Sequence, residues 1–279
     1  MMTSNIKGLL MDFASPKVMG ILNITPDSFY EGSRKQTEKE IAEQVVRMAE
    51  EGADIIDIGG YSSRPSAIFV DETEEMNRLT YGLKILFREA PEAIVSVDTF
   101  RSKIARRCVE DFGVAIINDI SAGALDDRMF ETVAGLQVPY TIMHLRGNPQ
   151  TMMENTIYTN LMQEILLYFV KKIMQLHQLG VNDIWIDPGF GFSKTTAQNY
   201  KVLDNLEEFH IFELPLLVGL SRKTMIRETL AVSPDQSLNG TTALNMFALT
   251  KGAHILRVHD VKEAAETVRL YNKIKNTNL

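Results

Sequence analysis

Residues 185–195 read WIDPGFGFSKT, and an acidic side chain lies where the pattern leads us to expect an apolar one. Asp187 ends a short apolar run, and a buried carboxylate is costly unless donors hydrogen-bond to it. Gly189 and Gly191, followed by Lys194, resemble a phosphate-binding loop, but the spacing GxxxxGK[ST] is absent. The glycines instead suit a sharp turn after a strand. The stretch therefore indicates a buried strand that ends in a polar side chain at a tight turn.

Eight apolar runs of this kind alternate with amphipathic helical patterns along the chain. The runs are VMGILNI (18–24), DIIDIG (54–59), AIVSVD (93–98), VAIIND (114–119), VPYTIMH (138–144), DIWID (183–187), LPLLVGL (214–220) and AHILRVH (253–259). Strands that are apolar on both faces and separated by helices indicate a parallel sheet. Eight of them favour a closed (β/α)8 TIM barrel over an open doubly wound sheet, whose GxGxxG turn is also missing.

We expect one domain over residues 1–279, in which IKGLLMDF near the start forms a short hairpin or strand across one barrel end. The net charge of −7 argues against nucleic acid as a partner, since binding phosphates needs clustered cations. The single Cys108 excludes an internal disulfide and suits a reducing compartment. Neither a secretion signal nor an apolar run near the length of a membrane span, about 18 residues, is evident. We therefore expect a cytoplasmic protein.

Polar side chains stand at the carboxyl ends of the predicted strands. They are Asn23, Asp57, Asp98, Asn118, His144, Asp187, Ser221 with Lys223, and Arg257 with His259. One such residue is most often structural, but in a barrel these ends converge on the face where active sites are built. Whether His144 is structural or functional stays open.

The chemistry of this set suggests a flat heterocycle with an anionic tail. A carboxylate matches two parallel N–H donors, as on the amino-pyrimidinone edge of a guanine or pterin. Arg64, Lys223, Arg257 and His259 supply cations, and Asn23 offers an oxygen to a hard cation such as Mg²⁺. No Ser-His-Asp or Cys-His pairing supports covalent catalysis.

Nine motifs resemble those of the dihydropteroate synthases, in order and at the right spacing, from about residue 17 to residue 265. They are MGILNITPDSF (19–29), DIGGYSSRP (57–65), SVDTF (96–100), INDISAG (117–123), MHLRGNPQTM (143–152), DPGFGF (187–192), VGLSRK (218–223), NGTTA (239–243) and LRVHD (256–260). The resemblance implies a (β/α)8 barrel of the pterin-binding superfamily. It also implies a transferase that joins 6-hydroxymethyl-7,8-dihydropterin diphosphate to 4-aminobenzoate, giving 7,8-dihydropteroate and diphosphate for folate synthesis.

The resemblance also assigns roles to the residues. The pterin ring is expected to contact Asp98, Asn118, Met143, Asp187, Lys223 and Arg257. The diphosphate is expected to contact Asn23, Arg64, Arg257 and His259, with Mg²⁺ bound at Asn23. The 4-aminobenzoate pocket is expected to be bordered by Ser63, Pro65, Phe192 and Ser221. Asp98, Lys223, Arg257 and His259 are the expected catalytic residues, and a homodimer is implied.

The family mechanism implies early breakage of the C–O bond to diphosphate, followed by attack of the arylamine on a pterin cation. Asp98 is the candidate for negative charge near that cation. No strong general base is needed, because an aniline nitrogen is neutral at pH 7.

Two loops depart from the family pattern. Tyr61, Ser63 and Ser66 replace an acid, a threonine and a glycine, and Glu31 stands where an aspartate is common. Whether Tyr61 packs, hydrogen-bonds or does neither stays open.

Two other functions are compatible with part of this pattern. A corrinoid-dependent methyltetrahydrofolate methyltransferase shares the barrel and pterin cup but has no diphosphate to bind. A non-catalytic pterin-binding paralogue would be expected to lose the functions of Asn23, Lys223, Arg257 or His259, and all four residues are present.

Overall fold

The computed structural model of the chain describes residues 2–24, 34–61 and 70–277, of which 34–36 are described by backbone alone. The strands are β1 (Thr3–Ile6), β2 (Leu9–Asp12), β3 (Lys17–Asn23), β4 (Ile55–Gly59), β5 (Val95–Asp98), β6 (Ile116–Asp119), β7 (Tyr140–Met143), β8 (Ile184–Asp187), β9 (Leu217–Val218) and β10 (Ile255–Val258). The helices are α1 (Arg34–Glu51), α2 (Glu72–Glu89), α3 (Ser102–Phe112), α4 (Met129–Leu136), α5 (Leu161–Gln178), α6 (Thr196–Asp204), α7 (Thr224–Leu230), α8 (Leu238–Thr250) and α9 (Val261–Asn276).

Strands β3 to β10 form one parallel sheet in the order β8-β7-β6-β5-β4-β3-β10-β9. A parallel bridge between Ile186 and Leu216 joins the two end strands, so the sheet closes as a barrel. The predicted (β/α)8 fold is confirmed. Each predicted run overlaps its strand, but β9 is much shorter than the run 214–220. Pro215, which has no N–H to donate, precedes it, and pairing with β8 is reduced to that single bridge.

The N-terminal hairpin of β1 and β2 covers the amino end of the barrel. Its Ser4 Oγ accepts a hydrogen bond of 2.7 Å from Trp185 Nε1, and the Phe13 ring meets the Trp185 ring edge-on at 5.7 Å. Ile6 and Phe13 join a buried cluster with the inward-facing side chains Met19, Ile55, Trp185, Leu217 and Ile255. This end is therefore filled by apolar side chains, and the polar residues lie at the other end.

The helices pack around the sheet as the periodicity predicts. Ile41, Val45 and Met48 of α1 are all buried in the main core cluster. Gly52, Gly180 and Gly252 follow the ends of α1, α5 and α8, and all have the positive φ that favours glycine at a helix end. Of the helices described, none combines the length and the apolar character needed to cross a membrane.

A candidate active site at the carboxyl ends of the strands

The register of the sheet places the predicted residues around one rim. Asn23, Gly59, Asp98 and Asn118 are successive partners across β3, β4, β5 and β6, so they form one row. Met143 and Asp187 are partners on β7 and β8. Gly59 has no side chain between Asn23 and Asp98, and a Cβ there would lie 3.7 Å from Asn23 Oδ1. This row leaves an opening between an amide and a carboxylate.

The remaining predicted side chains complete this rim where the structure describes them. Arg257 is in β10, His259 follows that strand, and Ser221 and Lys223 follow β9. Ser63, Arg64 and Pro65, with Ser66, Asp27 and Glu31, lie outside the described residues.

Arg257 is held between two carboxylates. Its Nε donates to Asp57 Oδ2 at 2.7 Å, and its Nη2 donates to Asp98 Oδ2 at 2.7 Å. Asp57 is fully buried, and its Oδ2 also accepts from Asn118 Nδ2 at 3.0 Å. The sequence marked Asp57 as a polar strand-end residue but gave it no role. In the structure Asp57 fixes the orientation of both Arg257 and Asn118.

The electrostatics of this group are set by burial and by close charges. Burial raises the pKa of Asp98 to about 7, which Arg257 opposes and the Asp57 carboxylate reinforces. Burial alone would lower the pKa of Arg257, but Asp57 and Asp98 outweigh it and raise that pKa. The guanidinium therefore stays charged, while Asp98 titrates near neutral pH.

Asp187 projects from the end of β8 into the same cup and is 7% exposed. Its Oδ1 accepts a hydrogen bond of 2.7 Å from the Gly189 N–H. Burial raises the pKa of Asp187, while that N–H and the cations Lys223, Arg257 and Lys194 lower it. The pKa of Asp187 stays above its ordinary value because burial is the largest of these effects, and the N–H and the cations limit the rise.

The loop after β8 needs its glycines. Gly189 has φ +72°, and a Cβ there would lie 2.3 Å from the carbonyl oxygen of His144. At Gly191, with φ +79°, a Cβ would lie 3.1 Å from Lys223 Cδ. Lys223 Nζ lies 4.3 Å from the centroid of the Phe192 ring. This close approach brings an ammonium group and an aromatic face to the edge of the cup.

His259 is neutral near pH 7, although the sequence suggested a cation. Its Nδ1 lies 3.0 Å from Ser221 Oγ, which also accepts from the His259 backbone N–H at 3.2 Å. Ser221 Oγ carries one proton, which it can donate to Nδ1 while it accepts from the backbone N–H, and in that tautomer the ring proton is on Nε2. Burial, with Arg222 and Arg257, lowers the pKa of His259 to about 4. In the tautomer with Nδ1 as acceptor, His259 offers an Nε2–H donor.

Three features were not predicted from the motifs. Lys194 and His144 are both buried and form a contact of 3.0 Å beneath the loop after β8. Tyr61 accepts a hydrogen bond of 3.1 Å from Gln150, and its ring meets Phe100 edge-on at 5.2 Å. Tyr61 therefore both packs and hydrogen-bonds. Nothing in the local sequence signals these contacts, because the partners come from other loops.

Hard-metal chemistry at the rim is compatible with the donors present. Among the residues described, no group of three or more His, Cys, Asp or Glu is arranged to hold a metal ion. Mg²⁺, however, usually takes one or two protein ligands and keeps waters or phosphate oxygens for the rest. The exposed Asn23, beside the gap at Gly59, provides one such oxygen.

The barrel and its carboxylate-lined cup define a pterin-binding enzyme, and the family described as pterin binding enzyme matches residues 19–259. The chain is 41% identical to the dihydropteroate synthase of Escherichia coli (strain K12), over 95% of this chain and 93% of the relative. It is 39% identical to that of Haemophilus influenzae, over 95% and 96% of the two chains.

Solved structures of dihydropteroate synthases are also similar to this chain in fold. A Yersinia pestis dihydropteroate synthase in complex with a sulfonamide drug superposes with a TM-score of 0.91 at 38% identity, covering 99% of this chain and 100% of that chain. A Xanthomonas albilineans dihydropteroate synthase with 4-aminobenzoic acid gives 0.88 at 34% identity, covering 98% of each chain. The chain belongs to the dihydropteroate synthases. It is therefore a transferase of folate biosynthesis, and neither the corrinoid methyltransferase nor the non-catalytic alternative is supported.

Proposed function

We propose that this cup binds 6-hydroxymethyl-7,8-dihydropterin diphosphate by its ring and transfers the pterin-methyl group to 4-aminobenzoate. The observation that supports it best is Asp187, a buried carboxylate whose one described hydrogen bond comes from Gly189 N. Such a group can accept the paired N–H donors of the pterin edge. Asn118 adds an acceptor, because its Nδ2 already donates to Asp57 and its Oδ1 remains for the ring.

The other faces of the ring would meet different chemistry. Lys223, held against the Phe192 ring, would donate to the polar edge of the pterin. Met143, which is buried with Phe192 in a small apolar cluster, would pack against the ring. Arg257 would stack on it, because two carboxylates already fix the plane of the guanidinium.

The diphosphate would lie on the side of Arg257, His259 and Asn23. Arg257 Nη1 makes no described hydrogen bond, and the Nε2–H of His259 is a second donor. Asn23 would hold Mg²⁺, which when bound supplies positive charge to a leaving diphosphate. Arg64, outside the described residues, stays a predicted further contact. These donors would stabilise negative charge as the C–O bond breaks.

Asp98 would stabilise the pterin cation that this bond breakage leaves. Its carboxylate is held beside Arg257 in the same row as Asn118, close to where a ring bound to Asn118 would lie. The arylamine needs no base to attack, and its proton passes to solvent after the new C–N bond forms. Lys223, Arg257 and His259 would share in catalysis through the ring and the leaving group.

The 4-aminobenzoate would bind against Phe192 and Ser221. Phe192 is 7% exposed and gives an apolar wall, and the Ser221 hydroxyl pairs with His259 at the other side. Ser63 and Pro65, which lie outside the described residues, are the predicted remaining border.

We also propose that residues 1–279 form one domain and that the protein is a homodimer of the cytoplasm. The dimer is what the family resemblance implies, and Leu230 at 48% and Phe247 at 39% are exposed apolar side chains on the later helices that such an interface would cover. The cytoplasmic location is supported by the lone, buried Cys108, which suits a reducing compartment.

The test is formation of dihydropteroate with release of one diphosphate when protein, pterin diphosphate, 4-aminobenzoate and Mg²⁺ are mixed. His259→Ala should lower turnover on the order of 10²-fold, as for loss of one transition-state donor, with pterin affinity nearly unchanged. A wild-type protein that forms no dihydropteroate would refute the proposed function. A His259→Ala variant that lost only pterin affinity would refute the diphosphate assignment.

A further inference from the structure

Lys194 is a buried lysine whose three hydrogen-bond donors all have partners. The residue is 2% exposed, which is rare for lysine unless its charge is balanced. Its Nζ lies 3.1 Å from the carbonyl oxygen of Gly189, 3.1 Å from that of Phe192 and 3.0 Å from His144 Nδ1. An ammonium group has three N–H donors, so this set is complete.

The three partners of Lys194 belong to two loops of the cup. Gly189 and Phe192 are in the loop after β8, and His144 follows β7. The same two loops are joined again by Ser193, whose Oγ accepts from Arg146 N at 2.8 Å and donates to Arg146 O at 2.9 Å. The loop after β8 is thus fixed to the neighbouring loop at two points, with Lys194 at the buried one.

Lys194 also acts on the residue that contacts Asp187. Gly189 donates its N–H to Asp187 Oδ1, while its carbonyl oxygen accepts from Lys194. A change in the position of Lys194 would therefore move the one described donor that orients the Asp187 carboxylate. Phe192, with its carbonyl oxygen on the same ammonium group, would move with it.

The charges around Lys194 support the same role as its hydrogen bonds. Burial lowers the pKa of Lys194 to about 7, and the Asp187 carboxylate opposes this. Burial, with Lys194 and Arg146, lowers the pKa of His144 well below its usual value, so the ring is neutral and accepts at Nδ1. Within the described residues, Asp187 is the carboxylate that Lys194 responds to.

We propose that Lys194 is a positioning residue for the pterin subsite, which fixes the loop after β8 so that Asp187 and Phe192 are presented in binding geometry. The inference rests on the proposed function, since it concerns how that site holds its pterin. Lys194 itself would not touch the substrate, because it is enclosed beneath the loop.

The test is steady-state kinetics of Lys194→Met, which keeps the length of the side chain and removes the charge and the donors. We expect KM for pterin diphosphate to rise at least tenfold, with kcat at saturation within threefold of wild type. A merely structural lysine would instead reduce the active fraction, and therefore kcat, without changing KM. Lys201→Met, at an exposed position on α6, is the matched control and should leave both constants unchanged.

Lys194→Gln is the second variant, and it tests the positioning role of Lys194 if Lys194→Met does not fold. The amide of Lys194→Gln can still donate to the two carbonyl oxygens. If Lys194→Met folds, the KM of Lys194→Gln should lie between those of wild type and Lys194→Met. If Lys194→Met does not fold, the KM of Lys194→Gln should exceed that of wild type at least threefold. A folded variant with KM within threefold of wild type, or with a loss in kcat alone, would overturn the inference. Failure of the wild-type protein to form dihydropteroate is a separate outcome, which refutes the proposed function instead.

Discussion

At the scale of single residues, Asp98 is the group whose ionisation matters most for the proposed chemistry. Burial raises its pKa to about 7, and Arg257 opposes this while Asp57, Glu75 and Asp119 reinforce it. Only the ionised form can stabilise a pterin cation. The free enzyme therefore gains activity as the pH rises through the pKa of Asp98.

We predict that kcat/KM for pterin diphosphate rises with pH through about 7, because this ratio reports ionisations of the free enzyme. His259, with its pKa near 4, has already lost its proton in this window. Deprotonation of Lys194, whose pKa is also about 7, adds a falling limb, so the limb assigned to Asp98 is the rise on the acid side of the profile. Stopped assays from pH 5 to 9 check this, and the rising limb should be absent in Asp98→Asn. A limb that persists in that variant would contradict the assignment.

The same shift has a consequence for stability. The pKa of Asp98 in the folded protein lies above its unfolded value, roughly 3.9. Its contribution to stability is then fully present below that unfolded value and is lost as the pH rises through about 7. The ionised carboxylate that the reaction needs therefore lowers the stability of the fold.

Residue types at strand ends could be predicted from the sequence, but their partners could not. Asp57 was visible as a carboxylate in a buried run, yet its salt bridge joins it to Arg257, at a sequence separation of 200 residues. Pairing of this kind is decided by how the closed barrel brings β4 and β10 to either side of β3. The local sequence around Asp57 therefore does not predict its pairing with Arg257.

At the scale of elements, the loop after β8 depends on glycine at two close approaches. We predict that Gly189→Ala lowers the free energy of unfolding by about 2–5 kcal/mol, the sum of left-handed strain and overpacking. The clash with the His144 carbonyl oxygen is the reason. Gly180→Ala is the control, because Gly180 has φ +81° but no atom within 4 Å of its added Cβ. Urea denaturation of both variants measures the difference, and equal losses would contradict the role of the close approach.

Two connections at the rim are longer than the usual 2–6 residues, roughly, between strand and helix. One runs from the end of β3 at Asn23 to α1 at Arg34, and the other from Gly59 to α2 at Glu72. Their sequences hold Asp27, Glu31, Ser63, Arg64 and Pro65, which lie outside the described residues. Long loops at this face commonly close over ligands.

We therefore predict ordered binding, in which 4-aminobenzoate binds weakly to the free protein and tightly once Mg²⁺ and diphosphate are present. The physical reason is that the apparent affinity for 4-aminobenzoate is reduced when only a small fraction of the protein has the binding-competent conformation. Calorimetric titration of 4-aminobenzoate with and without Mg²⁺-diphosphate makes the comparison. The same dissociation constant in both would show a preformed pocket.

At the scale of the whole molecule, the barrel itself could be predicted because eight apolar runs separated by helices leave few alternatives. A short N-terminal hairpin or strand was predicted as well, and the structure has the hairpin, but its specific contacts with Trp185 were not predicted. Those contacts depend on which side chains face inward at the closed end. The arrangement of the subunits could not be predicted from sequence patterns, because it depends on which exposed surfaces of the folded protein contact each other.

We predict that the protein sediments as a dimer and that Phe247→Glu on α8 shifts it to monomer, because a charge would be buried in the proposed interface. Leu167→Glu on α5 is the control, since Leu167 is equally apolar and 49% exposed but lies on an earlier helix. If Phe247→Glu remained a dimer and Leu167→Glu became a monomer, the interface would not include Phe247.

The measurement that tests the site most directly is the dissociation constant of the pterin substrate for Asp187→Asn, determined by calorimetry against wild type. The amide would put a donor where the pterin also presents one. We predict a loss of about 2–4 kcal/mol, on the order of 30- to 1000-fold in affinity, in a protein that still folds. Asp127→Asn, at an exposed position on the way to α4, should bind as wild type. Affinity of Asp187→Asn within threefold of wild type would show that the pterin binds elsewhere.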